Sequence, residues 1–346
     1  MHLSSREQTD EYFNEKSQKL LEKMPSYVKD YIRAIHNRIS PRTKYEYLKD
    51  IESFIEYYVT VFQTYPTLDE LNALDKKSFE IYFEHIENYS RNGQKRKNGR
   101  VSIKRKMSAL RNFFDYLFKN ELINSAEIRK VEMPKLSKKQ ITYLDKDESK
   151  DLINTVKNGT SMTKKEKEYH DILYTRDLAI LYLLLSTGIR VSECAELDID
   201  DIDLKKCSVL ITRKGGSQSI VYFSDEALPH LQEYMELRQA QDTHDEKALF
   251  LSSRKKRMSV RTIEIMIKKY AQKAVPLKKI TPHKLRATYA TNLYEETNDI
   301  YLVAEMLGHK DVKTTKEHYA NISNKHKSEN RNKIKYDEST TSIYRD

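Results

Sequence analysis

The sequence predicts a mainly α-helical protein of two domains with one small antiparallel β-hairpin, and three observations carry that prediction. Long charged stretches hold apolar residues at helical spacing, and only 7 Gly and 7 Pro interrupt 346 residues. β-rich character is confined to KKCSVLITRKGGSQSIVYFSD, where runs 207–212 and 219–223 flank a turn at Gly215-Gly216. Periodicity breaks in mid-chain at VEMPKLSKKQITYLDKDE, where a proline and a lysine cluster mark a linker. A chain of this length is comfortable as two domains, each burying its own core.

Taken in order, residues 1–25 read as a polar helical extension, 26–132 as a first domain of amphipathic helices and 133–147 as the linker. A second, mostly helical domain follows over 148–325, with a polar tail over 326–346. In the first domain, ISPRTKYEYLKDIESFIEYY starts a helix with Ser40 as N-cap and Pro41 at the first helical position. Leu48, Ile51, Ile55 and Tyr58 form its apolar stripe. VSIKRKMSALRNFFDYLFKN reads as another helix, with Ser102 as cap and Met107, Leu110, Phe113, Phe114 and Leu117 inward.

The polar side of that second helix is strongly basic. Lys95, Arg96, Lys97 and Arg100 precede it, and Lys104, Arg105, Lys106 and Arg111 lie on it. No Asp or Glu occurs from Arg91 until Asp115, so few ion pairs are expected there. A face that contacts phosphates explains the pattern better than a merely solvated one, and Arg42 is a further candidate contact.

Composition narrows the function classes. Charged residues make up 33%, and no run of about eighteen apolar residues could span a bilayer. The N-terminus lacks the apolar core of a secretory signal, so a cytoplasmic, nucleoid-associated location and no membrane partner are expected. An excess of 62 Lys and Arg over 52 Asp and Glu, a net +10, mildly favours a polyanionic partner. Cys194 and Cys207 are the only cysteines, and their spacing suggests neither a disulfide framework nor zinc. His283, His309 and His318 lack metal-ligand spacing, and nearby arginines would repel a dication, so no metal or other cofactor is expected.

Four stretches of the second domain place a cation or histidine beside a turn or helix start. In LYLLLSTGIRVSECAEL an apolar helix ends near Gly188, and Arg190 opens a new one with Glu193 three residues on. Glu193 could simply pair with Arg190, or hold its guanidinium for an anionic ligand. The hairpin tip, Arg213-Lys214-Gly215-Gly216, could present an ammonium in a groove. In ITPHKLRATYATNLY, Thr281 and Pro282 fix a helix start, placing His283 in the first turn and Arg286 at i+3. First-turn N–H groups add partial positive charge beside them. In YLVAEMLGHKDVKTTKEHYANIS, Gly308 ends a helix, His309 follows, and Tyr319 comes ten residues later.

Together and in order, TGIRVSE, TRKGG, TPHKLR, LGHKD and HYA resemble the tyrosine recombinase family of phage integrases and Xer-type resolvases. The resemblance covers the second domain, and the two first-domain helices look like that family's helical (SAM-like) core-binding domain. It implies a C-shaped DNA clamp, with four protomers joining two double-stranded recombination sites. An accessory protein is compatible with this scheme. By the same resemblance, Arg190 and Arg286 hold the non-bridging oxygens of the scissile phosphate, and Lys214 protonates the leaving 5′ oxygen. His283 and His309 match the family's two histidines, Tyr319 its nucleophile, and Glu193 the acidic support one turn after the first arginine. The tail would dock on a neighbouring protomer.

The chemistry explains these residue types. A tyrosine with pKa near ~10 is almost wholly protonated at neutral pH, so cations and a base such as His283 must activate it. Two fixed arginines stabilise the charge that gathers on equatorial oxygens, and a poor leaving alkoxide needs an acid such as Lys214. The bond energy is kept in a 3′-phosphotyrosine, so neither ATP nor Mg²⁺ is required. Xer-type members usually place the tyrosine nine residues after the histidine rather than ten. This leaves Xer-like resolution and mobile-element integration or excision both open. Two rival readings remain: type IB topoisomerase-like relaxation, and a catalytically silent DNA-binding protein.

Overall fold

A computed structural model of the chain describes residues 5–91, 94–136, 141–213, 215–240, 247–308 and 312. The fold is mostly helical, at 65% helix, with a small three-stranded antiparallel sheet. The chain divides into two compact units, Met1–Lys139 and Gln140–Asp346.

The first unit holds α1 (Ser5–Leu21), α2 (Ser26–Ile35), α3 (Pro41–Phe62), α4 (Leu68–Asn72) and α5 (Lys76–Glu87). A hairpin of β1 (Asn88–Arg91) and β2 (Gln94–Lys97) leads into α6 (Arg100–Lys119). Ser40 caps α3 by accepting from the Thr43 N–H, and Pro41 fixes φ at its first position. The expected stripe of Leu48, Ile51, Ile55 and Tyr58 is buried, as are Met107, Leu110, Phe113, Phe114 and Leu117 of α6. Phe54, Phe79, Tyr82 and Phe114 form the aromatic centre. Its edge-to-face pairs have centroids 5.0–5.9 Å apart.

Two expectations are corrected here. Ser102 does not cap α6; the N-cap is Gly99 and the helix starts at Arg100. A long-range tie sets that start: Asn98 donates from its backbone to the Glu87 carbonyl and from its side chain to the Ile86 carbonyl. Ser102 Oγ instead donates to Asn98 Oδ1. The basic stretch before α6 also lies on a β-ladder, in which Lys95 pairs with Ser90 and Lys97 with Asn88.

The second unit starts with Leu144 fully buried and Asp145 capping α7 (Lys146–Asn158). Then come α8 (Lys164–Thr187), α9 (Val191–Glu196), β3 (Ile202–Asp203), β4 (Ser208–Thr212) and β5 (Gln218–Tyr222). After them follow α10 (Leu228–Gln239), α11 (Val260–Ala274), α12 (Pro282–Thr297) and α13 (Ile300–Leu307). The expected hairpin is present as β4 and β5, with Val209 opposite Val221, and the short β3 extends it. Helix α8 is the central element: Leu178 to Leu181, Leu183 and Leu184 are all buried, as suits a helix packed on several sides.

Gly188 ends α8 at φ +61°, a left-handed conformation that a side chain makes costly. A Cβ there would lie 2.3 Å from the Tyr289 ring of α12. Glycine thus stops α8 and lets α12 pack against its end.

Candidate active site

The site is built where α8 gives way to α9. Arg190 occupies the N-cap position of α9. Its backbone N–H donates to Glu193 Oε2 at 2.7 Å, and its Nη1 donates to Glu193 Oε1 at 2.8 Å. The Glu193 side chain is 3% exposed and the Arg190 side chain 38%. One buried carboxylate therefore orders the helix start and holds a partly open guanidinium in one orientation.

Arg286 comes from the first half of α12 and is buried. Nη1 donates to the Gly188 carbonyl and Nη2 to the Leu307 carbonyl, both at 2.5 Å. Those oxygens lie at the C-terminal ends of α8 and α13, where carbonyls lack helical partners and the helix dipole favours a cation. Arg286 thus joins helix ends that are far apart in sequence: Gly188 is 98 residues away.

Arg213 completes the arrangement. Its Nη1 donates to the same Leu307 carbonyl at 3.2 Å and lies 3.6 Å from Glu193 Oε2. Its side chain is 12% exposed. Gly308 follows Leu307 at φ +62°, and a Cβ there would sit 2.7 Å from Arg213 Cζ. Burial pulls the Arg213 pKa below its usual value, while Glu193 acts against that shift.

The contacts close into a ring: Arg190, Glu193, Arg213, the Leu307 carbonyl, Arg286 and the Gly188 carbonyl, two residues back from Arg190. Arg190 and Arg213 engage the single carboxylate of Glu193 and Arg286 is held by two helix-end carbonyls, so the ring gathers three guanidiniums, a grouping suited to an anion. His283 lies in the first turn of α12, exposed, three residues before Arg286. Lys214, His309 and Tyr319 lie outside the described residues.

Burial pushes the Cys194 thiol up to about 12 and also raises the Tyr289 hydroxyl. Among the described residues, no group of three or more His, Cys, Asp or Glu is placed to hold a metal. No described helix is long and apolar enough to cross a membrane.

Arg213 is the residue that the sequence reading missed, though a signal for it exists. Val209 and Ile211 point inward from β4. Strand parity puts position 213 on the same side, so a cation there must be buried and partnered.

The basic residues of the first unit divide. Arg105 donates to both carboxylate oxygens of Asp50, which is 1% exposed, and Lys106 reaches the same group at 3.2 Å. Arg111 donates to the carbonyls of Arg129 and Val131. The expectation of few ion pairs is corrected: the acid that holds Arg105 and Lys106 comes from α3, not from the window around them. Lys97 pairs with Glu87 at 3.1 Å, and Arg100 reaches the Lys135 carbonyl at 3.5 Å. Lys104 is exposed on α6, and the exposed Arg42 lies over the Phe13 ring at 5.7 Å. Lys95 and Arg96 lie on β2, their side chains outside the description.

Comparison with known proteins follows from this geometry. Residues 142–326 match the phage integrase family, and 28–121 match the phage integrase N-terminal SAM-like domain. The tyrosine recombinase XerC of Caldanaerobacter subterraneus subsp. tengcongensis is 34% identical over 72% of this chain, a match spanning 65% of that relative. The tyrosine recombinase XerS of Streptococcus uberis is 31% identical over 84% of this chain and 90% of its own length. Among solved structures, XerH recombinase bound to a palindromic difH substrate, a post-cleavage complex, aligns at TM-score 0.69. It has 18% identity and covers 94% of this chain and 90% of that one. A lambda integrase tetramer on a Holliday junction aligns at 0.59, with 17% identity, over 83% of this chain and 77% of that one. At these identities the two structures speak for the fold alone.

Proposed function

This chain belongs to the phage integrase family, the tyrosine recombinases, and from that membership we propose a site-specific recombinase working through a 3′-phosphotyrosyl intermediate. The family is one of DNA strand-cleaving and rejoining enzymes. Tyr319 is assigned as nucleophile: its oxygen bonds to the scissile phosphorus as the bond to the 5′ oxygen breaks. The tyrosine proton passes to a base, assigned to His283, and Lys214 gives a proton to the departing 5′ oxygen. Arg190 and Arg286 take the non-bridging oxygens, and His309 adds a further hydrogen bond to them. The free 5′ hydroxyl of a second strand then attacks the phosphotyrosine and regenerates the enzyme, so no external energy source enters.

One observation supports this reading above the others: the ring that links Arg190, through Glu193, Arg213 and the Leu307 carbonyl, to Arg286. Three guanidiniums linked in one ring are a costly arrangement for stability alone and suit the binding of a phosphate. The first unit is assigned to the same DNA, with Lys104, Arg100, Arg42, Lys95, Arg96 and Lys97 as phosphate contacts. The active assembly is assigned as four protomers on two sites; lambda integrase, a structural neighbour, is a tetramer on a Holliday junction. Residues 326–346 are assigned to docking on a neighbour, and an accessory protein is compatible with that assembly. Both Xer-like resolution and element integration or excision fit the site.

The test is a suicide duplex carrying a nick beside the scissile phosphate, within a site selected from a random-sequence library by the wild-type protein. Wild type should accumulate a covalent adduct and Tyr319→Phe none. An adduct that persists in Tyr319→Phe overturns the assignment. Supercoil relaxation by a monomer without recombinant product would instead point to topoisomerase-like turnover.

A further inference from the structure

We propose that Arg213 is a positioning residue for leaving-group protonation, pinning the cleavage hairpin to Glu193 and to the end of α13. The inference rests on the reading of Lys214 as the acid. Arg213 immediately precedes Lys214 in the chain, and the Leu307 carbonyl it grips lies two residues before His309. A single side chain therefore fixes the backbone next to two assigned groups that come from distant parts of the sequence.

The geometry argues for placement rather than ligand binding. The Arg213 side chain is mostly buried, and its Nη1 engages Glu193 and the Leu307 carbonyl at once. Arg190, by contrast, leaves over a third of its side chain open. Among the described residues, the hairpin beyond Arg213 is closed by two backbone bonds: the Arg213 N–H donates to the Ser217 carbonyl, and the Gly216 N–H to the Arg213 carbonyl. A turn held in this way can rock about the end of its strand unless something outside the hairpin holds it. Among the described residues, Arg213 ties that turn to the rest of the site. Gly308 is part of the device, because any side chain there would meet the guanidinium.

The mechanism gives a readout specific to this role. If Arg213 acts through the acid, its loss should matter only while the leaving group needs a proton. A substrate with sulfur in place of the bridging 5′ oxygen departs as a thiolate, whose conjugate acid has a pKa near ~8.5, and it needs no acid. The full chain and its Arg213→Ala, Arg213→Lys and Gly308→Ala variants are to be compared on suicide duplexes carrying bridging oxygen or bridging sulfur. Lys214→Ala serves as the reference.

On the oxygen substrate, Arg213→Ala should lose on the order of 100-fold in cleavage rate, the scale of a misplaced catalytic group. On sulfur it should return to within a few-fold of wild type. Arg213→Lys keeps the charge but does not reach as far toward the two acceptors, so it should fall between. Gly308→Ala displaces the guanidinium and should show the same selective recovery on sulfur, giving a second route should Arg213→Ala fold poorly. An equal loss on both substrates, or no loss on either, overturns the proposal. If Lys214→Ala is not recovered by sulfur, the assignment of the acid has failed. If Lys214→Ala is recovered and Arg213→Ala is not, only the role of Arg213 has failed.

Discussion

The two units of this protein handle positive charge in opposite ways. In the helical N-terminal unit, Arg105 and Lys106 meet two acids, Asp50 and Glu46, while Arg111 holds two backbone carbonyls, so much of the apparent basic face serves the fold. In the C-terminal unit, Arg190 and Arg213 share one carboxylate, that of Glu193, while Arg286 holds two helix-end carbonyls. A count of cations does not distinguish these cases, because the number of acids each cluster meets in space decides. Where partners match, charge is structural; where they fall short, the surplus is available to an anion.

The sharpest way to break this comparison is within the ring. Replacing Arg190 with Ala should slow covalent adduct formation by about 10²–10³-fold, the scale for removing one preorganised donor to transition-state charge. Arg286→Ala should do the same and also lower the melting temperature, since it uncaps two helices. A fall in stability with unchanged cleavage would place Arg286 with the structural cations.

The next test contrasts two neighbours on α6. Lys106 is 16% exposed and bonded to Asp50, so Lys106→Ala should destabilise the protein by about 1–3 kcal/mol in denaturant titrations and barely alter the salt dependence of DNA binding. Lys104→Ala should leave stability alone and reduce the slope of log affinity against log salt by about one. The reverse pattern would mean that the Asp50 cluster opens on DNA.

The smallest effect concerns a matched pair in the catalytic unit. Glu166 is held down to about 2, first by the Thr163 backbone N–H and then by Lys273. Its pKa falls on folding, so its contribution is complete above the unfolded value near 4.5 and is lost as pH drops toward about 2. Glu166→Gln should lower the melting temperature at neutral pH, and the gap from wild type should close across that acid range.

How much of this is legible in the sequence depends on whether the cause is local. The Ser40 cap, the stripe of α3 and the β4–β5 hairpin are legible because cap chemistry and periodicity are written in a few adjacent residues. The Arg190–Glu193 pair is legible for the same reason, as a three-residue spacing on a short helix. β1 and β2 are not, since NYSR and QKRK show no apolar alternation. The start of α6 escapes because Asn98 answers to α5. Arg105 and Lys106 mislead because their partner lies more than fifty residues away. Arg213 sits between these cases: strand parity marks it as inward, but only the folded chain supplies Glu193 and Leu307.

Helix α13 shows what such borrowed support entails. It has eight residues, too few for a helix to persist in water, because starting a turn costs more than so short a run returns. Beside the packing of Val303, Ala304 and Leu307, its last turn is held by Arg213, just beyond β4, and by Arg286 of α12. The order of this segment is thus on loan from Arg213 and Arg286, and its backbone amides should exchange with solvent at the rate at which the ring opens. The stability of this last described helix is in this way a gauge of whether the arginine ring is assembled.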